Sequence, residues 1–338
     1  MGTVASPTLW IGFVVFVLGM LALDLGVFHR KAHAVTLREA VGWSAVWVSL
    51  ALAFNVFVWW KFGPALGVEF LTGYLIEKSL SVDNIFVFIV IFGALAVPPA
   101  LQHRVLFWGI IGALVLRAVM IFAGAAMLAK FHWLIYVFGG FLVFTGIKLF
   151  VQRDATEDPS KGLLMRTMRR LVPTTSDYRG SSFVVREGGK LVATPLLLAL
   201  VLIEATDVIF AVDSIPAIFA VTKDPFIVFT SNIFAILGLR SLFFLLAGVV
   251  EKFSYLKVGL AGVLVFVGAK MTLVDVVKIP AFVSLAAITT MLGASIVASL
   301  IKAQRVSKKA ATATTTSAPP PIAGQNQGGR AGGSPMMT

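Results

Sequence analysis

Five carboxylates fall inside stretches that are otherwise apolar enough for the interior of a bilayer. Glu77 and Asp83 lie in EKSLSVDNIFVF, and Glu204, Asp207 and Asp213 lie in IEATDVIFAVDSIP. An ionised acid at the centre of a membrane helix costs about 2.5–3.5 kcal/mol to insert. Five without compensation would cost on the order of 12–17 kcal/mol, comparable to the stability of a whole domain. They must be paired, protonated, hydrated or bound to a cation. Lys78, Arg117 and Arg240 are the charge-balancing candidates, and two or three cations against five acids leave a negative excess. That excess favours a cation site over a purely structural network. Asp24, near the inner end of the first apolar stretch, is either a further ligand or a headgroup neighbour.

The surrounding residue types narrow the ion. Carboxylates together with Asn84, Ser79, Ser81, Ser214, Thr206 and backbone carbonyls form an all-oxygen set, suited to Mg²⁺, Ca²⁺ or Mn²⁺. There is no cysteine, which removes disulfides, thiolate metal sites and dithiol redox chemistry. His29, His33, His103 and His132 all sit near the ends of apolar stretches, which disfavours Zn²⁺, copper and haem. No Ser-His-Asp pattern, phosphate loop or HExxH motif occurs, so no enzyme and no permanently bound cofactor is expected.

Spacing constrains how the acids can act. Six residues along a straight α-helix turn about 600° and rise about 9 Å, so Glu77 and Asp83 point roughly 120° apart. Either they serve successive positions along a path, or the helix is interrupted between them. Pro216, three residues after Asp213, disturbs the carbonyl hydrogen bonding of the preceding turn. Carbonyls freed in this way beside carboxylates are how discontinuous transporter helices make cation sites.

The elements that must position these groups follow from hydropathy. At 58% hydrophobic and 13% charged residues, with a mean hydropathy of +0.94, the 338-residue chain has the composition of an all-α polytopic membrane protein. Nine spans are predicted, at about 8–28, 39–60, 70–96, 104–128, 131–151, 194–221, 226–250, 255–275 and 280–301. With the N-terminus outside, 19 of the 28 Lys and Arg fall in cytoplasmic segments. Only Lys61, Lys130, Lys223 and Lys278 fall in the opposite loops. That bias is the positive-inside rule, so the net charge of +12 is mostly a topology signal and not a mark of nucleic-acid binding.

The transmembrane domain is predicted to run from 1 to 302, with a cytoplasmic loop at 152–193. The loop contains GLLMRTMRRLV, an amphipathic surface helix by its spacing, and FVVREGGKLVA, a hairpin turning at Gly188 and Gly189. From 303 to 338 the composition is that of a disordered tail.

The chain also repeats itself. FHWLIYVFGGFLVFTGIK from Phe131 matches FSYLKVGLAGVLVFVGAK from Phe253 at eight of 18 positions. GALVLR, ending at Arg117, parallels AILGLR, ending at Arg240. EKSLSVDNI parallels DVIFAVDSI, which pairs Glu77 with Asp207, Asp83 with Asp213 and Asn84 with Ser214. The units, about 70–151 and 194–275, each hold three helices. Three is odd, so the second copy is expected upside down, an arrangement recurrent in transporters whose sites lie where the units meet.

EKSLSVDNIFVF and IEATDVIFAVDSIPAIFAVTKDPFIVFTSNIFAILGLRSLFF closely resemble the two signature regions of the TerC family of integral membrane proteins. LDLGVFHRKAH from Leu23 looks like that family's first-helix signature, and the resemblance runs from about 20 to 302. It implies manganese efflux in bacteria, with Mn²⁺ as substrate, beside the tellurite resistance behind the family name. Some members are also labelled redox modulators, a label that cannot rest on thiols here. Carried over by position, the family's acidic motif falls on Glu77, Asp83, Asn84, Glu204, Asp207, Asp213 and Ser214, with Asp24 less securely. The expectation is a metal-ion exporter in the inner or plasma membrane, partnered by the bilayer and its ion. The competing expectation is a scaffold or stress-resistance factor acting through the 152–193 loop without transport.

Overall fold

The computed structural model describes residues 3–26, 36–151, 173–175, 177–187, 189–247 and 255–316, with the side chains of 24–26 and 306–316 left aside. The chain is mostly helical. Helices α1 (Pro7–Gly26), α2 (Leu37–Phe62), α3 (Pro64–Ala94), α4 (Pro99–Lys130) and α5 (Leu134–Val151) precede a two-stranded hairpin. After β1 (Val184–Glu187) and β2 (Lys190–Ala193) come α6 (Pro195–Phe219), α7 (Pro225–Leu237), α8 (Leu239–Ala247), α9 (Leu256–Thr272) and α10 (Ala281–Thr316). Among the described residues, five helices are long and apolar enough to cross a membrane, or six if the bent pair α7–α8 is one span. The acid-rich α3 is not among them, because hydropathy counts its charges against it.

The local chemistry sets the helix ends. Thr36 and Glu39 form a reciprocal capping box at the start of α2. Gly63, at φ 94°, turns α2 into α3 with no intervening loop, and Pro64 supplies the first helical residue. Asp224 caps α7 through the amides of Phe226 and Ile227, and also accepts from the amide of Val4, tying the N-terminal segment to that end. The hairpin turns as its sequence predicts, with Gly189 at φ 81°, and Arg186 opposite Leu191. Tyr178 donates to the carbonyl of Leu95, and Arg104 to Ser181, so this segment is held against the α3–α4 turn. The amphipathic stretch at 162–172 lies outside the described residues.

One alternative about helix continuity is decided and one expectation changes. α3 runs unbroken from Pro64 to Ala94 through Ser79 and Asp83. α6 likewise passes through Pro216 to Phe219. Pro216 lies in the last turn of α6, where its missing N–H costs one bond and its carbonyl still receives the amide of Ala220. The break falls instead at Gly238, where α7 and α8 meet at 41°. At the C-terminal end, α10 continues to Thr316, past the predicted tail boundary at 302. The Ala, Lys, Gln and Arg residues there are strong helix formers.

Packing follows the small residues. α5 and α9 cross in antiparallel contact, and a Cβ at Gly139 would lie 2.9 Å from the Gly268 carbonyl oxygen. A Cβ at Gly146 would lie 2.9 Å from that of Ala261. Backbones this close need glycine, as in other membrane helix pairs. α3 packs on α6 and α7, and α6 packs on α3 and α4. An aromatic cluster of Trp10, Phe13, Phe54, Phe226 and Phe234 joins α1, α2 and α7.

Candidate functional site

The centre of the site is Arg117, on α4, which is 1% exposed. Its Nη2 and Nε donate to the two oxygens of Asp207 at 2.8 and 3.2 Å, a bidentate pairing that matches the guanidinium fork. Its Nη1 donates to Oε1 of Glu77 and to Oδ1 of Asn232, the latter at 3.4 Å. Asn232 returns Nδ2 to Oε2 of Glu77 at 3.0 Å, and Asn84 donates Nδ2 to Oδ1 of Asp207 at 3.4 Å. Glu77, Asn84, Asp207 and Asn232 are all buried. Four helices, α3, α4, α6 and α7, therefore converge on one guanidinium. The two carboxylates that the repeat pairs by position are the two that share it.

Glu204 lies one turn before Asp207 and close enough to interact with it electrostatically. Its carboxylate fills a slot against α4 at Gly112, where any Cβ would overlap it. Its Oε2 is buried without a partner, as are Oδ1 of Asn84 and the hydroxyls of Ser81 and Ser214. Buried oxygens without donors are uncommon in folded proteins and ask for an explanation. Arg240 is 7% exposed and, with Asp207, Gly109 and Ala113, lines a cavity of about 10 Å³, room for one water.

The remaining predicted residues go elsewhere. Asp83 faces Lys257 of α9, and Asp213 faces Thr145 and Lys148 of α5. With α3 continuous, Asp83 and Glu77 occupy different positions, and no single ion contacts both from this helix. Oδ1 of Asp213 has no hydrogen-bond partner. Lys78, taken from the sequence as a neighbour able to balance Glu77, turns away and donates Nζ to the carbonyl of Ala235 at 3.3 Å, at the end of α7. A cation at a helix C-terminus meets the negative end of the helix dipole. Ser79 and Thr206 donate to carbonyls of their own helices, Leu75 and Ile203. Asp24 sits near the end of α1, and its side chain falls outside the described residues.

This arrangement adds to the charge count. The sequence sets five acids against two or three cations; the structure adds Lys257 within electrostatic reach of Asp83 and Lys148 within that of Asp213, with no direct ion pair in either case among the described residues. Direct ion pairing is seen for Glu77 and Asp207, both with Arg117. Among the described residues, no group of three or more His, Cys, Asp or Glu side chains forms a metal centre. The oxygen donors here are two carboxylates and two carboxamides instead. Asn232 was missed from sequence. Its signal was available in FIVFTSNIFAIL, where three polar residues in succession interrupt an apolar run. Lys148 and Lys257 carried none, because both read as residues at span ends.

Comparison with known proteins gives a consistent picture. Residues 62–307 match the model of the integral membrane protein TerC family. An "Uncharacterized membrane protein STKORF319" of Myxococcus xanthus is 69% identical over 302 residues, covering 89% of this chain and 95% of its own. The "Putative membrane-bound redox modulator Alx" of Escherichia coli K12 is 52% identical over 294 residues, covering 84% and 92%. An "Uncharacterized membrane protein" of Rickettsia felis is 44% identical over 293 residues, covering 87% and 97%. No solved structure matches the chain.

Proposed function

The chain belongs to the TerC family of integral membrane proteins, and from that premise we propose that it exports a hard divalent cation, Mn²⁺ foremost, through the site around Glu77 and Asp207. The observation that carries this reading is the convergence of two buried carboxylates, from α3 and α6, on a single cationic centre. Orphaned oxygens of Asn84 and Glu204 lie in the same cluster. Ionisable groups at membrane depth are costly, and where they occur they commonly line ion pathways. Asp83 and Asp213, each about one and two-thirds turns farther along its helix, are the successive stations on either side. The protein supplies binding and passage and performs no covalent chemistry.

The topology that goes with this reading has nine spans, with α7–α8 as one broken span, in the plasma membrane with the N-terminus outside. The two three-helix units, α3–α5 and α6–α9, are inverted copies. The α5–α9 crossing supports this: exchanging the units by their sequence match carries the Gly139–Gly268 contact onto Ala261–Gly146. The antiparallel run of these equivalent helices is what inversion requires. The exchange of contacts between α3–α7 and α6–α4 supports it equally.

The test is Mn²⁺ content in manganese-sensitised cells expressing wild type, Glu77→Gln or Asp207→Asn, with protein levels matched by immunoblot. Wild type is expected to lower cellular Mn²⁺ and both variants to fail. Variants that lower Mn²⁺ as well as wild type does overturn the proposal.

A further inference from the structure

We infer that Arg117 is a tethered competitor for the transported ion, and that Asn232 and Asn84 become ligands when its guanidinium leaves. The inference deepens the transport reading of this site and rests on it. Three of the four carboxylate oxygens of Glu77 and Asp207 are engaged by Arg117. The fourth, Oε2 of Glu77, takes the amide of Asn232. An incoming cation therefore finds its oxygens already occupied by another positive group. The two cannot share the site, because like charges repel strongly where little water screens them.

The carboxamides supply the rest. An Asn side chain has a donor end and an acceptor end, and half a turn about its last bond exchanges them. Both now point their donors at the carboxylates. Among the described residues, Oδ1 of Asn232 accepts from Arg117 alone, and Oδ1 of Asn84 has no partner although its residue is 1% exposed. With Arg117 displaced, reversal of both amides completes a set of two carboxylates and two carboxamide oxygens. That provides up to six oxygen donors, the number a small hard divalent ion takes. A monovalent ion would only replace one positive charge with another and forfeit the bidentate fork, so the arginine selects for divalent charge.

The displaced guanidinium has a place to go. Helical side chains lean toward the N-terminal turn of their own helix, and the Glu204 carboxylate, with Oε2 unpartnered, abuts α4 at Gly112 in that direction. Once the ion is released Arg117 returns, so the empty site is never left with two bare carboxylates.

The experiment titrates Mn²⁺ into the full-length protein in lipid nanodiscs, and free Mn²⁺ is followed by its six-line EPR signal. Arg117→Gln is expected to bind Mn²⁺ at least tenfold more tightly than wild type, and Arg117→Lys within about threefold of it. Asn232→Leu is expected to bind at least tenfold more weakly. In Arg117→Ala, added guanidinium chloride at millimolar concentration is expected to weaken Mn²⁺ binding, with no effect on wild type. Binding that is unchanged or weakened in Arg117→Gln, or unchanged in Asn232→Leu, overturns the inference while leaving the transport reading in place. Absence of Mn²⁺ binding in folded wild type and in every variant overturns both. Should Arg117→Gln fail to fold, the comparison of Asn232→Leu with wild type decides.

Discussion

Replacing Asp207 with Asn removes one charge and keeps the side-chain shape, which isolates what the buried pair contributes to stability. Arg117 meets Asp207 at 2.8 and 3.2 Å, with both side chains at most 4% exposed. At 2.8 Å and an effective dielectric near 20, the attraction is about 6 kcal/mol. Desolvation of both groups offsets part of it, and loss of one member of a buried pair costs about 3–5 kcal/mol. Arg117 keeps Glu77, so the lower end, about 3 kcal/mol, is expected. The pair Arg179–Glu187, at a comparable 3.0 Å but 56% and 47% exposed, is the control. Glu187→Gln is expected to cost under about 1 kcal/mol, because solvent screens an exposed pair. The assay is denaturant-induced unfolding of the full-length protein in micelles, followed by far-UV circular dichroism. An Asp207→Asn loss no greater than that of Glu187→Gln refutes the reasoning, since burial would then confer no added dependence on the pair.

Gly268→Val sets its Cβ 2.7 Å from the Gly139 carbonyl oxygen and 2.8 Å from the Val143 amide, neither of which can rotate away. The same unfolding assay should register a loss of about 1–3 kcal/mol, whereas Gly140→Val, with open space around it, should register almost none. Lys78→Met removes the ammonium from the carbonyl of Ala235 at the α7–α8 break. A cost of about 1–2 kcal/mol is expected there, from the lost charged hydrogen bond and the helix-end interaction. The hydroxyl of Tyr136 donates to Asp275 and, with His132 assisting, holds its carboxyl below the usual carboxylate range. A depressed folded-state value means this stabilisation is present above about pH 3.9 and is lost as pH falls through the folded value. Tyr136→Phe should therefore move the acid limb of the thermal-midpoint curve to higher pH, and an unchanged limb would count against the contact.

Much of the site was legible because its features are local. Intramembrane acids betray themselves by violating hydropathy, and the self-comparison that paired Glu77 with Asp207 picked out the two carboxylates that meet at Arg117. Arg117 itself was legible as a charge near a span centre. The hairpin followed from its paired glycines, and the glycines of the two matching helices from their register. The helix break was misplaced because Pro216, the stronger breaker in sequence, falls at a helix end where it does little. Gly238 is only permissive, and it becomes a break where α7 and α8 are packed at an angle and Lys78 donates to the carbonyl of Ala235. Continuity of α3 then removed the possibility that Glu77 and Asp83 serve one ion.

From the sequence alone came the membrane class, the helices that carry charge and the certainty that this charge needs partners. Hydropathy and insertion cost are properties of a segment and require no knowledge of its neighbours. Which acid met which cation was a matter for the tertiary structure. Lys257 came within electrostatic reach of Asp83 and Lys148 of Asp213, Lys78 went to a helix end, and Arg117 reached 40 and 90 residues along the chain to Glu77 and Asp207. Such choices depend on how far each helix is rotated and how deeply it sits against the others. Neither quantity leaves a mark in the order of residues along one helix.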